Sequence, residues 1–308
     1  MSAVINNRFA KITISHKKRK KIKTIIQLFQ RFALSSYKKL ENMKTKVCAK
    51  VNLGLNVVNK RADGYHDLET VFYPVALFDS IEIREAEQFA FHIEGEPIAG
   101  DPEKNLVVRA YRMIAGKYRL PQVSITLIKQ IPMQAGMGGG SADGAFTIRL
   151  LNEQFKLGMS VGEMQEYAVR LGADCPFFIE AVPAYAEGIG EKLCPIPLDL
   201  SSYTMAIVKP PIAVSTREAF SGISVRRPQK CCRDIVMQPV ETWRDELGND
   251  FEDSIFPLYP RLRDIKQQLY DLGAIYAAMS GSGSALFALF ETKPQIDNQF
   301  NDCKTWII

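Results

Sequence analysis

The chain has 308 residues, 46% hydrophobic and 24% charged, with a formal net charge of +5. That is ordinary globular usage, which excludes a fibre or a wholly disordered chain, and about 75% of the unfolded surface of such a length can be buried without disulfides or a structural metal. No run of 18 or more apolar residues exists, so a membrane-spanning helix is not expected, and the basic balance sits in one place: residues 1–42 hold eleven Lys or Arg and one acid, Glu41, leaving −5 on the remainder.

In chain order, residues 1–42 read as a basic extension, solvated or loosely helical because its like charges repel. Met43 is the expected biological start, with the extension not native or disordered. A nucleic-acid partner would rest on that tail alone, and neither a nucleic acid nor a membrane is expected of the body. Residues 46–58 read as a strand, residues 61–66 as a turn around Asp63-Gly64, and residues 69–84 as a strand broken near Asp79-Ser80. A helix is predicted over 104–117 and a strand over 123–129. A glycine-rich segment follows, then a helix over about 141–156. Ser160 with Glu163 forms a capping box for a helix running to Leu171, stopped before Pro176. Strands are predicted at 183–195 and 203–209, helices near 215–222, 240–247 and 260–272, and a strand pair at 274–279 and 284–290. The end after residue 292 reads as a clipped or divergent last element. A soft domain boundary falls at about residue 200, giving units 43–200 and 201–308.

Four local features carry chemistry. Pro132-Met133-Gln134-Ala135-Gly136-Met137-Gly138-Gly139-Gly140-Ser141-Ala142 lies between a strand and a helix, and four of residues 136–140 are glycine. It reads either as an anion nest feeding a helix N-terminus or as a plain glycine turn. It is neither a Walker A loop nor a Rossmann fingerprint, because no lysine follows and Ser141 breaks the spacing. Ser280-Gly281-Ser282-Gly283 either closes over a phosphate or turns a hairpin. Asp174, before Pro176, is either a general base or a helix-end residue. Lys50, inside an apolar strand, points either to solvent or into a cleft. Six cysteines show no C-x-x-C pair and the three histidines lack ligand spacing, so no zinc site is expected. Adjacent Cys231-Cys232 suits a reducing compartment, and the cytoplasm is the expected location.

Together these features resemble a known family. PMQAGMGGGSADGA and AAMSGSGSALFALF are similar to the second and third motifs of the galactokinase, homoserine kinase, mevalonate kinase and phosphomevalonate kinase (GHMP) superfamily. Ala49-Lys50-Val51-Asn52-Leu53-Gly54-Leu55-Asn56, Lys60-Arg61-Ala62-Asp63-Gly64-Tyr65-His66-Asp67-Leu68, Gly172-Ala173-Asp174-Cys175-Pro176-Phe177-Phe178 and Ala186-Glu187-Gly188-Ile189-Gly190 resemble a narrower branch, the 4-diphosphocytidyl-2-C-methyl-D-erythritol kinases. The resemblance spans about 44–292.

It implies an α+β GHMP kinase fold, with an N-terminal half like the second domain of ribosomal protein S5 and a ferredoxin-like C-terminal half. It implies transfer of the ATP γ-phosphate to the 2-hydroxyl of CDP-methylerythritol, in the non-mevalonate route to isopentenyl diphosphate. Lys50 and Asp174 match the catalytic pair, and residues 132–142 the ATP-phosphate cradle. Ser280, Gly281, Ser282 and Gly283 match the closing loop. Asn52, Tyr65, His66, Thr216 and Phe220 match the substrate pocket, with Phe220 opposite Tyr65 across the base. Mg²⁺ is implied with ATP and without dedicated ligands, Ser141 being the group that could touch it. The partner is the small-molecule substrate, and the assembly a monomer or weak homodimer.

Overall fold

The computed structural model describes residues 43–296 and 299–308; the reading of residues 1–42 lies outside them. Strands β1 (Met43–Lys60) and β2 (His66–Glu85) form one long antiparallel hairpin. Its turn is closed by Asp63, whose carboxylate accepts from the Tyr65 N–H and from the Arg61 guanidinium. The expected break near Asp79-Ser80 does not occur. Strand β2 runs through it, bent by an irregularity in which Cys48 faces Phe78 and Ala49 faces Val75. Asp79 looked like a turn residue because a short carboxylate competes for backbone N–H groups. Here it does accept two, from Gln130 and Ile131, but they belong to a neighbouring segment.

Strand β3 (Ala90–Gly95), which the sequence reading missed, lies parallel to β4 (Val123–Lys129). It is a half-exposed edge element with only a weak apolar alternation. Residues 183–195 are a hairpin rather than one strand: β5 (Ala184–Glu187) turns through Gly188 and Gly190 into β6 (Lys192–Pro195). The first sheet has the order β3-β4-β2-β5-β6, with β1 along the other edge of β2. Helices α1 (Leu106–Tyr118), α2 (Gly139–Gln154), α3 (Val161–Val169) and the short α4 (Phe177–Glu180) cover it. The capping box is present: Ser160 Oγ accepts from the Glu163 N–H, and the Glu163 carboxylate accepts from the Ser160 N–H.

The second sheet is antiparallel, in the order β10-β7-β9-β8, built from β7 (Thr204–Lys209), β8 (Tyr276–Met279), β9 (Leu286–Phe290) and β10 (Lys304–Ile307). The last described residues thus form an edge strand on β7. Between β7 and β8 come α5 (Thr216–Ser221), α6 (Cys232–Ile235), α7 (Trp243–Glu246), α8 (Asp250–Ile255) and α9 (Pro260–Asp271).

The two sheets share a core along β1. Ala49, Val51 and Leu53 pack with Ile207, Tyr276 and Phe287 of the second sheet. Burying one side chain such as Leu53 stabilises by about 1.5–3 kcal/mol. Alternation along the strand sends Lys50 and Asn52 to the opposite face, into the cavity at the seam.

Candidate active site

A cavity of about 1100 Å³ opens between the two halves. Its walls include Lys50, Asn52, Tyr65, His66, residues 132–141, Asp174, Thr216, Phe220, Gly281, Ser282 and Gly283. Segments more than 200 residues apart in sequence thus meet in one space.

Lys50 is only 3% exposed. Its Nζ donates to Asn52 Oδ1 at 2.6 Å and to the Gly136 carbonyl at 2.8 Å, and lies 3.5 Å from Asp174 Oδ2. An ammonium has three N–H donors. Two are committed to neutral acceptors, and the third is left for Asp174 and the cavity. The Phe72 ring lies 5.2 Å away as a cation–π neighbour. Burial pushes the Lys50 pKa below the usual lysine range, and the Asp174 carboxylate works against that fall. Asp174 itself is about a third exposed and opens on the cavity.

The glycine segment is shaped by close approach. Gly136 has φ +69°, and a Cβ there would sit 1.8 Å from the Ser280 carbonyl oxygen. Gly138, also at φ +69°, precedes α2; a Cβ there would press on Phe178 at 2.9 Å and on Lys50 Cε at 3.2 Å. The first N–H groups of a helix have no intrahelical partner, and those of Gly139, Gly140 and Ser141 lie in the cavity wall. With the helix dipole they make an anion site. This cradle and its helix N-terminus fit a nucleotide's phosphates. Ser141 faces the Cys175 thiol, which burial pushes up to about 12, so that sulfur is no nucleophile.

The two glycine-bearing loops are stitched together. The Ser284 and Ala285 N–H groups donate to the carbonyls of Gln134 and Ala135, and Ser280 Oγ donates to Gly136 O at 2.9 Å. Two expected site residues therefore stand behind the wall. Ser280, 1% exposed, holds the Gly136 carbonyl instead of reaching the cavity, and Ala142 is fully buried in α2 against the core. The Phe220 ring stacks on His66 (4.8 Å, 18°) and meets Phe251 edge-on, while Tyr65, in the same cavity wall, stands 60% exposed. Asn52 lines the cavity as expected, but both ends of its amide are engaged, with Lys50 and with Thr70.

Two groups escaped the sequence reading. Lys129, buried with Asp79 and Asp143, binds the start of α2 to the sheet beneath the glycine segment. Its signal was available, since Lys129 falls on the same parity as Val123, Ile125 and Leu127 and so on the buried face of β4. Asn249 donates to the carbonyls of Met279 and Gly281 and caps α8 through the Phe251 N–H, fixing the Ser-Gly loop from behind. No spacing rule marks such a residue. Among the described residues no cluster of three or more His, Cys, Asp or Glu could hold a metal.

Comparison with known proteins places this geometry. The family described as the GHMP kinases N terminal domain matches residues 105–181, and the GHMP kinases C terminal family matches 235–306. The chain is 50% identical over 252 residues to a 4-diphosphocytidyl-2-C-methyl-D-erythritol kinase of Bacteroides fragilis, covering 80% of this chain and 92% of that one. A relative of the same name from Chlorobium phaeobacteroides is 37% identical, over 82% of this chain and 88% of its own. A crystal structure of 4-(cytidine 5'-diphospho)-2C-methyl-D-erythritol kinase superposes with a TM-score of 0.74 at 30% identity, covering 86% of this chain and 98% of that chain. A homoserine kinase from Cytophaga hutchinsonii shares the fold at a TM-score of 0.61 and 17% identity, covering 88% of this chain and 96% of its own.

Proposed function

Because the chain belongs to the 4-diphosphocytidyl-2-C-methyl-D-erythritol kinases, a branch of the GHMP kinases, we propose how its own residues transfer a phosphoryl group. The protein is a small-molecule kinase with ATP as donor, acting on 4-diphosphocytidyl-2-C-methyl-D-erythritol in the methylerythritol phosphate route to isoprenoids. The acceptor is the 2-hydroxyl.

The observation that carries the account is the pair Lys50 Nζ and Asp174 Oδ2, 3.5 Å apart on the cavity wall beside the glycine cradle. The acceptor hydroxyl sits against this pair. Asp174 takes its proton as the oxygen attacks the γ-phosphorus; the new O–P bond forms, the bond to the β-phosphate oxygen breaks, and ADP leaves. Lys50 offers its third N–H to the oxygen as negative charge develops there. The backbone N–H groups of Gly139, Gly140 and Ser141 hold the phosphates of the donor. Little more is required, since phosphoryl transfer is mostly positioning and charge neutralisation.

Mg²⁺ would arrive on the nucleotide and neutralise phosphate charge, and Ser141 is the residue that would contact it or one of its waters. Tyr65, His66, Thr216 and Phe220 form the cytidine end, supported by their place in one wall. The stacked His66–Phe220 pair offers a ready aromatic edge to a base. We set the boundary between an ATP-binding half, 43–200, and a C-terminal half, 201–308, near residue 200, supported by the change of sheet between Pro195 and Thr204. We place the protein in the cytoplasm, a reducing compartment that its six free cysteines suit, and expect a monomer or weak homodimer.

A kinase assay with CDP-methylerythritol, homoserine and mevalonate tests the reading. Turnover of the first alone is expected; turnover of either of the others without it would overturn the assignment.

A further inference from the structure

Strand β1 carries an extra residue opposite β2: Leu53 faces Val71 and Leu55 faces Thr70, leaving Gly54 unmatched at φ +69°. A Cβ there would lie 2.5 Å from Leu247 Cδ1 and 2.8 Å from Cys232 Sγ, so only glycine makes this bulge without displacing its neighbours. The bulge frees the Gly54 carbonyl, which accepts from the Thr70 hydroxyl at 2.5 Å. Thr70 is 1% exposed, so its hydrogen bonds are made within the protein.

A hydroxyl has one proton and two lone pairs. The Thr70 proton goes to Gly54, so the hydroxyl can only accept from Asn52, whose Nδ2 stands 3.0 Å away. That fixes the amide. Its NH₂ must face Thr70 and its Oδ1 must face Lys50, where it accepts at 2.6 Å. The flipped amide would set NH₂ against an ammonium and a carbonyl oxygen against the hydroxyl's lone pairs, losing both hydrogen bonds. We propose that Thr70 is a positioning residue: it sets the orientation of the Asn52 amide and thereby the place of the Lys50 ammonium at the reacting oxygen. This rests on the reading of Lys50 as a catalytic group.

The consequence reaches beyond packing. The charged group facing Lys50 is Asp174, from the segment between α3 and α4; the Gly136 carbonyl, the Asn52 amide and the Phe72 ring face it as neutral groups. Removing the Asn52 acceptor leaves the ammonium less well compensated. Burial already lowers its pKa, so the pKa falls further and the alkaline limb of the kcat profile moves to lower pH.

The test is kcat against pH, with KM for ATP, for Thr70→Val, Thr70→Ala, Thr70→Ser and Lys50→Met. Val and Ala are expected to lose about 10–100-fold in kcat, on the scale of a small misplacement of a reacting group. Their alkaline limb should shift to lower pH, KM for ATP should change little, and Ser should restore both rate and limb. Should Thr70→Val fail to fold, the Ala and Ser variants carry the same comparison. An unshifted limb with an undiminished rate in Val or Ala, or Ser as impaired as either, overturns the proposal. Lys50→Met with full activity would instead overturn the reading of the site, whereas an inactive Lys50→Met beside a Thr70→Val that behaves as the wild type overturns the relay alone.

Discussion

Two lysines are buried around the same hairpin, and they are built in opposite ways. Lys129, at the end of β4, is closed between two carboxylates, with Asp143 Oδ2 at 2.9 Å and Asp79 Oδ2 in direct contact. Burial alone would lower its pKa, but the two carboxylates outweigh it and the ammonium is held above its ordinary value. The cost appears on Asp143, which burial pushes above the usual carboxylate range against the pull of Lys129; its Oδ1 is buried with no hydrogen-bond partner among the described residues. Lys50 has one charged partner among the described residues, itself about a third exposed, and its pKa moves down. An over-compensated ammonium sealed from water is a structural bolt. An under-compensated one facing a cavity is a charge still seeking a counter-charge, which on the proposed mechanism a developing alkoxide supplies.

Each half of that contrast can be broken separately. The largest effect is expected from Asp174→Asn. Loss of the proposed general base should lower kcat by about two to four decades, while the urea midpoint stays near wild type because the side chain is partly solvated. A rate within tenfold of wild type would put the base elsewhere. Lys129→Met should act the other way round. It leaves Asp79 and Asp143 buried without their cation, costing about 3–5 kcal/mol of stability. Urea unfolding reads this directly, and a loss under about 1 kcal/mol would deny Lys129 its role as a bolt. The smallest of the three is Tyr65→Ala, at the solvent-exposed rim. Loss of one stacking face should cost about 1–3 kcal/mol in binding the cytidine substrate, seen as a raised KM with KM for ATP unchanged. A larger effect on ATP would mean that the two subsites are exchanged.

Much of this was legible in the residues. The strand carrying Lys50, the glycine segment before α2, the capping box of α3 and the Ser-Gly loop each have strong local signals, and the resemblance ordered them into one site. What escaped was set by contacts distant in sequence. Asp79-Ser80 looks like a turn because nothing local reveals that its acceptors serve Lys129 and two N–H groups of another segment. Residues 183–195 read as one strand, whereas Gly188 and Gly190 take positive φ and turn them into a hairpin. Ser280 belongs to a motif that points at phosphate, yet the approach of Gly136 turns its hydroxyl inward. Strand β3 and the final strand β10 are short edge elements, whose stability comes from pairing more than from pattern.

The central claim is that Lys50 is an under-compensated ammonium facing Asp174. Its pKa, followed by NMR of the Nζ-labelled side chain in the wild type and in Asp174→Asn, tests this most directly. The account predicts a value below the ordinary lysine range in the wild type and a lower one still in the variant, where the facing carboxylate has lost its charge. A value at or above that range, or one indifferent to Asp174, would contradict it.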